Sequence, residues 1–225
     1  DFSPEYTRKA LEASLKRLQT DYVDFLHLHS PGPSWRLEDD TVEMLEKLKS
    51  EGKLRFYGFS IMPPRAAQPD FGPSEQGKYI LDRNKGFDFF QVVYNIFTRG
   101  VEKDFFPECE KKGAAVIARV PLASGFLSGK FTKDTRFPET DHRHFSYPAE
   151  KIEELVDKVE KLRFLEIPGK RTLVQAALQF CLANSAVSTV IPGARTPDQV
   201  IANAAASDAP SLTEEELNKI DEITQ

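Results

Sequence analysis

Two histidines close an apolar run, His27 and His29 in "VDFLHLHSP", residues 23–31. Side chains alternate along a strand, so Phe25, His27 and His29 share one face and Leu26 and Leu28 the other. His29 then stands at the strand end and His27 one layer below. An imidazole placed there can ligate a metal, move a proton or donate a hydrogen bond to a carbonyl oxygen. A metal site needs three or four ligands. The remaining histidines, His142 and His144, fall in "FPETDHRHFS", a polar loop that reads as mobile. No metal is expected. His27 reads as a hydrogen-bonded core histidine, and His29 as the catalytic candidate.

Two further stretches suit phosphate. "SGFLSGK", Ser124 to Lys130, has three residues between its glycines, and Phe131 follows its lysine. A Walker A loop needs four residues there and then Ser or Thr. A glycine-rich turn with a lysine can still cradle a pyrophosphate through backbone N–H groups; a plain turn is the alternative. "GARTPDQ" sets Arg195 just before a helix capped by Thr196. A cation beside a helix N-terminus suits a phosphate, and a solvated arginine is the alternative.

The elements that must carry these residues alternate. Strands are expected at "YVDFLHLH", "LRFYGFS", "FDFFQVVYN", "AAVIARV" and "VSTVIPG", each followed by a helix. A polar loop is expected from about Pro121 to Tyr147. Short apolar strands alternating with helices imply a parallel sheet and an α/β fold. An open doubly wound sheet and a (β/α)8 TIM barrel both fit. No G-x-G-x-x-G follows a strand, which weighs against a Rossmann domain. In a barrel, function gathers at the C-terminal strand ends. Those ends here carry His29 and Ser30, then Ser60, Tyr94 and Asn95, Arg119, and Gly193.

The 225 residues, 40% of them hydrophobic, suffice for one large domain or two small ones. A net charge of −5 argues against a nucleic-acid surface. No apolar run approaches the length of a membrane span. The opening "DFSPEYTRKALEASL" lacks the apolar core of a signal peptide and reads as a helix capped by Ser3. Cys109 and Cys181, far apart, read as reduced packing residues of a cytoplasmic protein.

"ALEASLKRLQTDYVDFLHLHSP", "GKLRFYGFS", "FFQVVYN", "VPLASGFLSGKFT" and "VIPGARTPDQVIAN" together resemble the aldo-keto reductase superfamily, in order and spacing, over essentially the whole chain. The wording is most similar to bacterial branches related to inositol-operon reductases. The resemblance implies one barrel domain over 1–225, part of a (β/α)8 barrel of which this chain supplies about five βα units plus C-terminal helices, three units being expected ahead of Asp1. It implies reduction of aldehydes and ketones, small-molecule carbonyl substrates, with NADP(H). His29 matches the histidine that polarises the carbonyl. Ser60 and Gln91 match the residues holding the nicotinamide carboxamide. Leu122 to Lys130, with Ser124, Gly125, Leu127 and Gly129, matches the segment over the pyrophosphate. Arg195, after Gly193, matches a 2′-phosphate contact, and Gln199 and Asn203 match adenine-side contacts.

Three departures stand out. Ile61 replaces the family's usual asparagine. Arg119 stands where a tyrosine usually stacks on the nicotinamide, and a guanidinium plane can also stack. The family's proton-donor tyrosine, with its lysine and aspartate, has no match among Tyr22, Tyr57, Tyr94 or their neighbours. That admits a second reading, a non-catalytic NADP(H)-binding or regulatory subunit. A sheet of five units would leave open edges, so a barrel completed by a second copy, a homo-oligomer, is a third.

Overall fold

The computed structural model describes residues 1–32, 35–61, 73–82 and 87–224. Helices and strands alternate along them as α1 (Pro4–Leu18), β1 (Val23–His29), α2 (Asp39–Ser50), β2 (Leu54–Ser60), α3 (Pro73–Asp82), β3 (Phe89–Val93), α4 (Phe106–Lys112), β4 (Ala115–Arg119), α5 (Arg143–Ser146), α6 (Ala149–Lys161), α7 (Leu173–Leu182), β5 (Val187–Ile191), α8 (Pro197–Ala204) and α9 (Glu214–Thr224). The Pro- and Gly-rich loop at 62–72 lies outside the described residues, so "MPPRAAQPDFGPSEQG" is described only from Pro73 on.

Local chemistry sets the element ends. Ser3 Oγ accepts from the Tyr6 N–H, with Pro4 in the first helical turn. Thr172 and Gln175 form a capping box on α7. Gly113, at φ +68, ends α4. α4 starts at Phe106, with Pro107, which has no N–H to extend the ladder backwards, in its first turn.

The strands lie in one sheet in the order β1-β2-β3-β4-β5. β1 pairs β2, and β2 pairs β3, in parallel. A doubly wound sheet reverses its order at a switch point. Sequential order with intervening helices is the barrel pattern, and it decides between the two architectures. Among the described residues no helix is long and apolar enough to cross a membrane.

The chain gathers into two compact units. Unit 1 is Asp1–Val93 with Gly100–Ile117; unit 2 is Tyr94–Arg99 with Ala118–Gln225. In unit 1, Leu11 and Leu15 of α1, Leu45 and Leu48 of α2, and Tyr57, Phe59 and Phe90 of the strands are buried. Each such side chain contributes roughly 1.5–3 kcal/mol by leaving water. Trp35 packs between Phe2 and Phe59, 5.5 and 5.6 Å between ring centres. In unit 2, Leu155 and Val159 of α6 and Leu173, Ala177 and Phe180 of α7 are buried. The buried Arg171 binds the carbonyls of Leu165, Pro210 and Ser211 and pairs with Glu216.

Candidate functional site

In unit 1 the strand register sets His29 opposite Ser60 and Ser60 opposite Gln91. Three expected residues thus form one row, at the C-terminal ends of β1 and β2 and in the middle of β3. Hydrogen bonds join Ser60 and Gln91 to each other and to Ser30 and His27. Ser60 Oγ donates to Gln91 Oε1 (3.2 Å), and Ser30 Oγ lies 3.3 Å from Ser60 Oγ. Gln91 Nε2 lies 3.5 Å from His27 Nδ1. Ser60 is fully buried, so its hydroxyl requires these partners. Ser30, at φ +49, turns the chain off the strand while its N–H donates to the Ser60 carbonyl (3.1 Å). His29 is exposed at the row's end.

His27 lies one layer down, half-buried, with the Phe89 ring edge 4.6 Å away between centres. Phe89 reaches it across Gly58. A Cβ at position 58 would stand 2.4 Å from both the Phe89 ring and its carbonyl oxygen. Burial, reinforced by the neighbouring His29, holds His27 below its ordinary imidazole pKa.

Unit 2 carries the other expected residues. Tyr94 is buried and stacks on Phe180. Asn95 Nδ2 donates to the Val120 carbonyl (3.0 Å), and its Oδ1 accepts from Phe97 N–H (2.9 Å). Its amide therefore serves the backbone of the next strand end. Arg119, half-buried, ends β4, and burial lowers its pKa.

The segment after Arg119 is far from a plain loop. Val120, Ala123 and Ser124 take φ values of 56, 47 and 56, and Gly125 and Gly129 are left-handed too. Such a conformation costs an L-residue roughly 1–2 kcal/mol, so outside contacts must hold it. Arg143 Nη1 donates to the Ser124 carbonyl (3.2 Å), and the Tyr147 hydroxyl to Ser124 Oγ (3.0 Å). Arg163 Nη2 donates to the Gly129 carbonyl (2.8 Å). Arg143 is itself fixed by Asp141 through two side-chain bonds (2.9 and 2.5 Å). That pairing keeps the Asp141 carboxyl well below the usual range. Phe126, Phe131, Phe137 and Tyr147 pack edge to face or tilted around it, with the Arg143 guanidinium 4.3 Å from the Phe137 ring centre.

The stretch expected to be a polar loop, with "FPETDHRHFS" as its mobile part, is therefore a pinned clasp containing a short 3-10 helix, Ala123–Ser128, and α5. Sequence reasoning missed Arg143, Tyr147 and Arg163. Their only signal was the aromatic content of the surrounding "polar" stretch. The amides of Gly125 and Leu127 donate to the Leu122 carbonyl, and that of Gly129 to Phe126. Those three donors close the turn on itself instead of facing outward. Leu127 is fully buried and supports the turn from below, whereas Lys130 is exposed. His142 faces Asp141 (3.6 Å), and His144 Nδ1 lies 2.7 Å from the Phe137 carbonyl.

Beyond β5, Gln199 Oε1 accepts the Arg195 N–H (2.7 Å), and Asn203 Nδ2 lies 3.5 Å from the Gly193 carbonyl. Thr196 caps α8. Gln199 and Asn203 thus shape the turn that presents Arg195. An open hollow of about 520 Å³ lies there, lined by Ala194, Arg195, Thr196, Pro197, Val200 and Ile201. Val200 and Ile201 are exposed. An apolar shelf beside a guanidinium and a helix N-terminus suits a flat ring carrying a phosphate.

Comparison with known proteins sets these features in context. A family model described as the aldo/keto reductase family matches residues 1–225. The uncharacterized oxidoreductase YqkF of Bacillus subtilis is 31% identical over 225 residues, 100% of this chain and 68% of that protein. A probable voltage-gated potassium channel subunit beta of Arabidopsis thaliana is 31% identical over 230 residues, 99% of this chain and 68% of that protein. The holo form of an aldo-keto reductase from Bacillus halodurans superposes with a TM-score of 0.73 at 34% identity, over 100% of this chain and 69% of that one.

Proposed function

The chain belongs to the aldo/keto reductase family, and from that membership we propose that it is the greater part of an NADP(H)-dependent oxidoreductase that reduces aldehydes and ketones. The observation carrying this reading is the register that lines up His29, Ser60 and Gln91 on three adjacent strands, with Ser60 hydrogen-bonded to Gln91. The features of the chain fit a nicotinamide dinucleotide. Unit 1 offers a serine hydroxyl and a primary amide, complementary to a carboxamide. Unit 2 offers the Arg195 hollow, complementary to an adenosine phosphate.

When bound, NADPH supplies the hydride that a carbonyl carbon accepts. His29 donates a hydrogen bond to the carbonyl oxygen, where negative charge develops. Ser60 and Gln91 would hold the carboxamide, Arg119 would lie against the nicotinamide, and the Leu122–Lys130 segment would lie over the pyrophosphate. Arg195 favours the 2′-phosphate. The test is NADPH oxidation with simple aldehydes by the full-length protein. Arg195→Ala should raise KM for NADPH while sparing that for NADH; equal effects on both would contradict the 2′-phosphate role.

The similarity to a probable potassium channel subunit beta favours one second reading, a regulatory subunit that binds NADP(H) without rapid turnover. Tight NADPH binding with no aldehyde-dependent oxidation would select it.

A further inference from the structure

We propose that His27 is a positioning residue: its unprotonated Nδ1 accepts from Gln91 Nε2 and thereby fixes which end of the Gln91 amide faces Ser60. A primary amide has one accepting and one donating end. Gln91 Oε1 takes the Ser60 hydroxyl proton at 3.2 Å, which leaves Nε2 aimed at His27, 3.5 Å away. Only a bare imidazole nitrogen can accept there, so the ring carries its proton on Nε2. Ser60, having donated to Gln91, can accept from Ser30 Oγ at 3.3 Å. The order of donors runs one way, from Ser30 through Ser60 and Gln91 to His27.

A proton added to His27 reverses that order. Both ring nitrogens then donate, and Gln91 Nε2 would face an N–H. Turning the amide over relieves the conflict. Oε1 then accepts from His27, Nε2 donates to Ser60 Oγ, and the Ser60 proton turns to Ser30. No covalent bond changes; only the donor order across three strands flips. The surroundings favour the bare ring. Phe89 covers one side of His27 across Gly58. Among the described residues, the titratable group whose charge reaches it is His29 on the same strand, while β2 presents Gly58 and β3 presents Phe89 and Gln91. Burial and His29 both push the His27 pKa down, so the flip belongs on the acid side of about 6.5.

The consequence for cofactor rests on the reading of Ser60 and Gln91 as carboxamide partners. Flipping the amide exchanges the donor and acceptor they offer, so acid should weaken NADPH binding. Two readouts on the full-length protein test this. The first is the Gln91 side-chain amide resonance as His27 titrates, without cofactor. It should move with His27, and an amide that stays still overturns the proposal. The second is NADPH affinity against pH in wild type and in His27→Asn, which keeps an acceptor near Nδ1 but does not titrate. The ratio of the two cancels the titration of the 2′-phosphate itself. Wild type should lose roughly 3- to 10-fold more affinity on acidification, the size of one hydrogen bond; identical profiles overturn the proposal. If the amide tracks His27 while neither protein binds NADPH, the wiring stands and the cofactor reading falls.

Discussion

The row of unit 1 and the clasp of unit 2 hold candidate functional groups in opposite ways. His29, Ser60 and Gln91 sit on neighbouring strands, and backbone pairing alone brings them into line. Ser124, Gly125 and Gly129 sit on a left-handed turn that its own sequence disfavours, held by Arg143, Tyr147 and Arg163 from well down the chain. The first arrangement is rigid by secondary structure; the second is rigid by side-chain contacts that a single substitution can remove. A site that needs fixed hydrogen-bond donors is served by the first. A segment that must admit and release a large ligand is served by the second.

Substitutions can break that contrast at several depths. The largest effect is expected at Arg171, whose guanidinium is buried and ties three carbonyls and Glu216 together in unit 2. Arg171→Ala leaves that carboxylate and those carbonyls without their partner and should cost about 3–5 kcal/mol in denaturant unfolding. A loss under about 1 kcal/mol would show that unit 2 does not depend on side-chain ties of this kind. Next comes Gly58→Ala in unit 1, where the added methyl collides with the Phe89 ring and carbonyl. It should cost about 1–3 kcal/mol and shift the His27 ring resonances. Unchanged His27 resonances would show that Phe89 does not set that ring.

Tyr147→Phe removes one hydrogen bond from the clasp and keeps its ring packing. Amide exchange at Gly125 and Leu127 should quicken by the equivalent of about 0.5–1.5 kcal/mol, with amides of β1 to β3 unchanged. Uniform quickening would make the clasp no more local than the row. The smallest effect is with pH. Pairing lowers the Asp141 carboxyl in the folded state, so its contribution is complete above the ordinary carboxylate value of about 3.9 and fades as pH falls through the lower folded value. Clasp protection should stay flat from pH ~7 to ~4; a fall near pH 5 would point to another group.

The same contrast explains what was legible in the sequence. Period-two alternation put His27 and His29 on one face, and the strands, their order of appearance and the capping residues Ser3 and Thr196 all followed from local pattern. Adjacency of His29, Ser60 and Gln91 then needed only a parallel register. The clasp was not legible, because left-handed φ at Val120, Ala123 and Ser124 runs against residue preference, and the bonds that hold Ser124 and Gly129 come from partners 19 to 34 positions away. The inward-turned amides of Gly125, Leu127 and Gly129 also defied the expectation drawn from glycine content alone. Gln199 and Asn203 were legible as a pair one helical turn apart, but their grip on the Arg195 turn depends on the path of the backbone.

The most direct measurement is the turnover of a simple aldehyde by full-length His29→Ala, with NADPH affinity measured on the same preparation. If the row carries the chemistry, turnover falls by about 100-fold or more while NADPH still binds. Wild-type turnover would contradict the account.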